Sequence, residues 1–127
     1  MNTARRIELA ELTSRFRDAA PPRLWNVLTD DYFDGRMIPG SRRVPLDTVY
    51  RTARQEGFPV DDEVIVYCSG PTCPQSGLAG EKLAAAGYRN VRVFEGGLEA
   101  WGADGRPFET LTEAQGAPAP ETVAASR

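Results

Sequence analysis

The sequence predicts an α/β domain of three layers, in which helices flank a mainly parallel central sheet. Short apolar segments typical of strands alternate with segments of helical periodicity along most of the chain, and this alternation is typical of parallel sheets. The clearest strand, "VIVYC" at 64–68, is an unbroken apolar run with three β-branched residues, as expected for a parallel strand covered on both faces. With 127 residues, of which 41% are hydrophobic, the chain can bury one domain core.

The first helix is predicted over residues 8–20, and the Pro21-Pro22 pair ends it. Its apolar residues recur at helical spacing: Ile7, Leu9, Leu12 and Phe16. The segment "RLWNVL" (23–28) is short, apolar and bounded by turn-forming residues, so a buried strand is expected there.

A brief helix is expected over "DDYFDG" (30–35), with Thr29 or Asp30 as its cap. The segment "IPGS" that follows predicts a turn, because Pro39 and Gly40 are typical turn residues.

Residues 42–46 predict a short strand that leads into a helix over 47–57. Asp47 is the expected N-cap of this helix, and Gly57 is expected to end it.

After the clearest strand, residues 75–86 predict a helix with Leu78 and Leu83 on or near one face, ended by Gly87. The segment "NVRVFE" (90–95) predicts another strand. "GGLEAWGADG" then predicts a turn and a short helix that places Trp101 in the core.

Residues 110–127 are rich in Ala, Pro, Thr and Glu and have little to bury, so they predict a disordered tail behind a domain of residues 1–109.

Composition excludes several classes of function. The net charge of −3 gives no concentrated basic face, so no nucleic-acid partner is expected. We expect neither a signal peptide nor a membrane span, because the chain lacks a run of sufficient apolar length. The expected location is the cytoplasm, where thiols stay reduced.

The sequence contains no histidine, which removes Cys-His and Ser-His catalysis, and two cysteines alone cannot complete a usual zinc site. Neither a metal nor a cofactor is therefore expected.

Both cysteines, Cys68 and Cys73, lie in the loop "CSGPTCPQ" between the clearest strand and the next helix. Backbone N–H groups in such a loop can converge on an anion, and the positive end of the helix reinforces them. In such surroundings a thiol pKa falls from about 8.5 to roughly 3.5–7.5, which makes a nucleophile without histidine. The alternative is that Cys68 is a small core residue.

Three segments in order resemble the rhodanese family of sulfurtransferases in its single-domain form: "LWNVLTDDYFDGRMIPGSRRVPL", "VIVYCSG" and "YRNVRVFEGGLEAWGADGRPFE". The resemblance runs from about Ile7 to Glu109, and "CSGPTC" resembles a family variant with a CxGPxC loop. It implies a rhodanese-like domain in which Cys68 accepts sulfane sulfur as a persulfide and passes it to a thiophilic acceptor, cyanide or a thiol. The donor would be a small sulfur compound or a low-molecular-weight or protein persulfide.

The resemblance also implies that the loop backbone from Ser69 to Cys73 cradles the persulfide or an anionic donor. The implied substrate-binding residues are Ser69, Gly70, Pro71, Thr72, Gln75 and Ser76. Capping of the following helix is the alternative role for Ser76. Cys73 is either a resolving thiol, which attacks the Cys68 persulfide and leaves a disulfide, or an exposed bystander.

Departures from the family pattern concern charge and packing. Gln75 replaces an arginine that is usual in the loop, and the loss of this cation argues against thiosulfate as the donor. Elsewhere in the chain, the cations Arg36, Arg42 and Arg43 either replace this arginine or are solvated surface residues. In the first of the three segments, Asn26, Leu28 and Met37 replace the Asp, Arg and His that are usual in the family. The family's Asp and Arg there tend to be structural.

Three functions remain open: a sulfurtransferase, a dithiol redox or sensor module that cycles a Cys68–Cys73 disulfide, and a catalytically idle interaction module. A phosphatase-like HC-x5-R site is excluded, because Tyr67 replaces the histidine and the loop contains no arginine.

Overall fold

The computed structural model describes residues 4–18 and 20–110 of the chain. The strands are β1 (Arg5–Arg6), β2 (Arg23–Asn26), β3 (Arg36–Met37), β4 (Arg42–Arg43), β5 (Val64–Tyr67), β6 (Val91–Phe94) and β7 (Glu109–Thr110). The α-helices are α1 (Leu9–Arg15), α2 (Val49–Glu56), α3 (Gln75–Ala85) and α4 (Gly97–Ala103), and a 3-10 turn over Leu46–Thr48 precedes α2.

Five strands form one parallel sheet in the order β1-β6-β5-β2-β4. The remaining two, β3 and β7, pair antiparallel beside it. The predicted α/β class with a mainly parallel sheet flanked by helices is confirmed.

Strand β5 divides the core because its side chains alternate between the two faces of the sheet. Val64 and Val66 pack into one cluster with residues of α2 and α3, including Ala53 and Leu83. Ile65, Tyr67 and Cys68 pack into the other cluster, to which α1 contributes Leu12 and α4 contributes Leu98 and Trp101. The helices therefore cover both faces of the sheet, which is the predicted three-layer arrangement.

Glycines end two helices as predicted: Gly57 has φ +66° after α2 and Gly87 has φ +106° after α3. Trp101 lies in the core, where its indole N–H donates to the Pro107 carbonyl oxygen at 2.8 Å.

Several local predictions are wrong. Residues 30–35 form a turn rather than a helix, since only the amides of Tyr32 and Phe33 bond back to the Thr29 oxygen. The first helix stops at Arg15, because the next turn tightens through bonds such as Arg17 N to Ser14 O.

Two predictions about helical side chains are also wrong. Asp47 lies inside the 3-10 turn and does not cap α2, whose N-cap is Thr48. On α3, Leu83 is fully buried whereas Leu78 is 53% exposed, so these two residues do not share a face.

At the chain ends, the structure adds β1, an edge strand the sequence analysis missed, because its two arginines carry no apolar signal. Thr110 pairs with Arg36, one residue beyond the predicted domain boundary, and residues 111–127 of the predicted tail lie outside the described residues. Within residues 4–18 and 20–110, none of the helices combines the length and apolar character needed to cross a membrane.

Candidate active site

The two cysteines come together at the carboxyl edge of the parallel sheet, where ligands bind in open α/β folds. Cys68 follows directly on β5 and is only 1% exposed. The amide of Cys73 donates to the Gly70 carbonyl oxygen at 3.0 Å, which turns the loop back on itself. The turn places the Cys73 carbonyl oxygen 3.5 Å from the Cys68 sulfur and brings the two thiols within hydrogen-bond reach.

The start of α4 supports this loop from below. The amides of Leu98 and Glu99 donate to the carbonyl oxygens of Cys68 and Ser69, at 3.1 and 2.9 Å. Gly97 has φ +57°, and a Cβ there would collide with the Cys68 carbonyl oxygen. Gly97, the second glycine of "GGLEAW", therefore lets the loop lie directly against the helix.

The first of the three segments that resemble the family also contacts the site. It does so through hydrogen bonds to Tyr67, the residue before Cys68. The buried Tyr67 hydroxyl accepts the Ile38 amide at 2.9 Å and lies 2.7 Å from the Ser41 hydroxyl, so it attaches the "IPGS" turn to β5. Burial raises the pKa of Tyr67, which keeps the phenol neutral. Its role here is structural.

Asn26, which replaces the family's Asp, and Arg43 are structural as well. The Asn26 side-chain oxygen accepts the Leu28 amide at 3.1 Å in the interior. Arg43 donates to the Leu28 carbonyl oxygen at 2.6 Å and pairs with Asp30, and its side chain is only 12% exposed. The interpretation of Arg43 as a solvated surface residue is wrong, since burial is large enough to lower its pKa. Arg36 and Arg42 are exposed and pair with Asp34 and Glu56.

The electrostatics of the thiols reverse one expectation. Burial raises the pKa of Cys68, Cys73 raises it further, and hydrogen bonds from Ser76 lower it only in part. The Ser76 amide donates to the Cys68 sulfur at 3.4 Å. The prediction that loop amides lower the pKa of Cys68 is therefore wrong, because desolvation outweighs them.

Cys73 carries the lowered pKa instead. Its partial burial raises the pKa, but hydrogen bonds from the Cys68 thiol and from the amides of Gln75 and Ser69 together lower it by more. The amides that face the two sulfur atoms are thus those of Ser69, Gln75 and Ser76, whereas the Cys73 amide is used in the turn to Gly70.

A pocket of about 320 Å³ opens above the loop. Its lining consists of Leu28, Tyr32, Ser69, Thr72, Cys73, Pro74 and Gln75. Cys73 thus borders the pocket, while Cys68 lies beneath the loop and is not part of the lining.

The predicted substrate-binding residues divide between the pocket and its support. Ser69, Thr72 and Gln75 line the pocket. Gly70 and Ser76 are buried, and Pro71 is exposed outside the lining. Ser76 lies in the first turn of α3, its side chain bonds to Cys68, and α3 has no side-chain cap, so the capping alternative for Ser76 is wrong.

Gln75 also connects two loops. Its side-chain oxygen accepts the Thr29 amide at 2.9 Å, and its side-chain nitrogen donates to the Thr29 hydroxyl at 3.1 Å. These bonds attach the segment that carries Thr29 and Tyr32 to Gln75, and the side chains of Tyr32 and Gln75 both line the pocket. Sequence reasoning missed Tyr32, which is 70% exposed. The helix predicted over residues 30–35 gives no reason to place its side chain at the cysteine loop.

The charge around the pocket is neutral to negative. The lining described above contains no lysine or arginine. The Glu99 side chain packs against the loop, since a Cβ on Gly70 would lie 2.6 Å from its carboxylate. A dianion in this pocket would therefore meet no compensating side-chain charge from the lining.

The fold agrees with comparisons to known proteins. The sequence profile of the rhodanese-like domain matches residues 8–104, and the chain belongs to that family. No curated protein matches the chain in sequence.

Solved structures of the same family are similar to this chain. A rhodanese-like domain from Anabaena sp. is 25% identical over 96% of this chain and 92% of its own, with a TM-score of 0.71. A rhodanese-like domain protein from Staphylococcus aureus is 26% identical over 85% of this chain and 99% of its own, with a TM-score of 0.68.

A thiosulfate sulfurtransferase from Pseudomonas aeruginosa shares the fold, with a TM-score of 0.67. It is 24% identical over 84% of this chain and 20% of its own length.

Proposed function

We propose that this protein is a sulfurtransferase that carries sulfane sulfur as a persulfide on Cys68 and passes it to cyanide or a thiol. The observation that carries the proposal is the position of Cys68 at the end of β5, where the Ser76 amide donates to its sulfur and the Cys73 thiol lies beside it. Membership of the rhodanese-like family supports the same chemistry.

The proposed reaction has two displacement steps. A cysteine thiolate attacks the outer sulfur of the donor, a sulfur–sulfur bond forms on the protein, and the donor leaves as a thiolate. The acceptor then attacks the terminal sulfur of the persulfide and the cysteine returns to its starting state. Amides that face the sulfur atoms stabilise the anion that each step produces. The cycle needs both thiols reduced, in line with the predicted cytoplasmic location.

The donor we propose is a persulfide of a thiol rather than thiosulfate. Thiosulfate carries two negative charges, and the pocket lining offers no cation while Glu99 packs against the loop. The Gln75→Arg variant tests this charge argument, because it restores a cation at the pocket wall. We expect it to raise kcat/KM for thiosulfate relative to glutathione persulfide, and an unchanged ratio would contradict the charge argument.

Turnover of glutathione persulfide and cyanide to thiocyanate tests the function itself. We expect wild type to turn over and the double variant Cys68→Ser with Cys73→Ser to fall to the background rate without protein. The Leu78→Ala variant is a control on an exposed α3 side chain and is expected to keep wild-type turnover. Background turnover in the wild type would contradict the proposal.

A second candidate is a dithiol redox module, and the contact between the two thiols favours it. Intact mass after mild oxidation distinguishes the two functions. A redox module loses two hydrogens in the wild type, keeps its mass in Cys68→Ser and Cys73→Ser, and gains no sulfur from a donor.

A further inference from the structure

The two thiols differ in access to the pocket. Cys73 lines it, whereas Cys68 is 1% exposed and lies under the loop. A donor that enters the pocket therefore meets the Cys73 sulfur first. For direct attack by Cys68, the loop closed by the bond from Cys73 N to Gly70 O must open.

Hydrogen bonds around the sulfur atoms also favour Cys73 as the anion of the pair. The Cys68 thiol and the amides of Gln75 and Ser69 all bond to the Cys73 sulfur. These donors lower the pKa of Cys73, and burial raises the pKa of Cys68. The thiolate is the nucleophilic form of cysteine, so access and ionisation select the same residue.

We propose that Cys73 takes the sulfane sulfur from the donor in the pocket and then hands it to Cys68. The inference rests on the proposed sulfurtransferase function and assigns the entry step of that reaction to the second cysteine of the loop.

The relay balances without an oxidant or a reductant. In the first step the Cys73 thiolate attacks the outer donor sulfur, the donor S–S bond breaks, and the donor leaves as a thiolate. In the second step Cys68 attacks the terminal sulfur of the Cys73 persulfide, and the electron pair of the broken bond returns to Cys73. The proton of Cys68, which points to the Cys73 carbonyl oxygen at 3.5 Å, passes to the neighbouring Cys73 sulfur as that sulfur takes up the electron pair.

The receiving position suits a persulfide anion. The Ser76 amide already donates to the Cys68 sulfur, and it belongs to the first turn of α3, an eleven-residue helix whose positive end faces the loop. The relay thus moves sulfur from an accessible position to one that is shielded from solvent.

Rapid-quench loading with glutathione persulfide tests the relay, with each persulfide placed by fragment-ion mapping. We expect Cys68→Ser to load one sulfur on Cys73 at nearly the wild-type rate. We expect Cys73→Ser to load roughly tenfold more slowly or worse, because a local opening of about 1.4 kcal/mol must precede attack by the buried Cys68. In wild type the sulfur should appear on Cys73 first and on Cys68 later.

A matched control measures an ordinary surface thiol. It carries Ser14→Cys, on the exposed side of α1, in a background of Cys68→Ser and Cys73→Ser. Loading of Cys73 no faster than this control, wild-type loading in Cys73→Ser, or wild-type sulfur that never reaches Cys68 would each overturn the relay. If wild type gains no sulfur at all, the sulfurtransferase function itself fails.

Discussion

Strand β5 separates two polar clusters that the chain handles in opposite ways. At its amino end, Glu63 and Arg92 form a buried ion pair with N–O distance 3.3 Å, and Arg92 also bonds to Glu11 at 3.0 Å. At its carboxyl end, Cys68 and Cys73 lie beside each other, and the amide of Ser76 acts on Cys68 while the amides of Gln75 and Ser69 act on Cys73. In the first cluster Arg15 and Arg92 balance the charges of Glu11 and Glu63. In the second, hydrogen bonds from neutral groups lower the pKa of Cys73.

This contrast in charge balance indicates which cluster is suited to chemistry. Opposite charges that pair with each other leave no net charge for a ligand, and their role is structural. Cys73 combines a pKa that hydrogen bonds lower with a position at the border of a pocket, which suits a nucleophile. The comparison predicts that substitutions at the amino end of β5 lower stability, whereas substitutions at its carboxyl end lower reactivity.

The Arg92→Met variant should give the largest loss of stability, about 3 kcal/mol in the free energy of unfolding, because it removes the partner of Glu11 and leaves the buried Glu63 with Arg15 alone. Chemical denaturation measures this loss. Arg89→Met is the matched control, since its ion pair with Asp61 is exposed and contributes about 0–1 kcal/mol.

Sulfur loading per folded molecule should stay at the wild-type level in Arg92→Met. If loading falls along with stability, the two ends of β5 are coupled, and the two polar clusters do not have separate roles.

Gly97→Ala should have the next effect, about 1–3 kcal/mol of strain together with slower sulfur loading. The added Cβ pushes against the Cys68 carbonyl oxygen and shifts the loop that carries both thiols. Gly57→Ala is the control, because Gly57 has a similar φ of +66° but no neighbouring atom within 4 Å. It should cost about 1 kcal/mol and leave loading unchanged. Equal effects of the two variants on loading would contradict the supporting role of Gly97.

The smallest effect concerns the pH dependence of Cys73. Hydrogen bonds hold its pKa below the usual thiol value, so its reactivity is lost only when the pH falls through that lowered pKa. Cys68→Ala removes one donor and should move the midpoint of iodoacetamide reactivity to higher pH than in Cys68→Ser, which keeps a hydroxyl donor. Identical midpoints would show that Cys68 does not stabilise the Cys73 thiolate.

The parts of the fold that depend on local pattern could be predicted from the sequence. The apolar run of β5 places Cys68 at the end of a central strand, and Gly57 and Gly87 end their helices with positive φ. These features need only the chemistry of neighbouring residues, which is why the sheet class and the loop position are confirmed.

The features that sequence reasoning missed depend on distant contacts. The relative acidity of Cys68 and Cys73 depends on which sulfur the folded loop buries, and two nearby cysteines do not indicate this. Arg43 is buried because it reaches the Leu28 carbonyl oxygen, fifteen residues away. Tyr32 borders the pocket because Gln75 holds its segment through Thr29, a contact that spans 46 residues.

The measurement that tests the central claim most directly is the intact mass of the wild-type protein after incubation with glutathione persulfide, repeated after addition of cyanide. We predict a gain of one sulfur atom that cyanide removes, with an equal amount of thiocyanate formed. A protein whose mass does not increase, or that only loses two hydrogens, would contradict sulfur transfer as the function of this site.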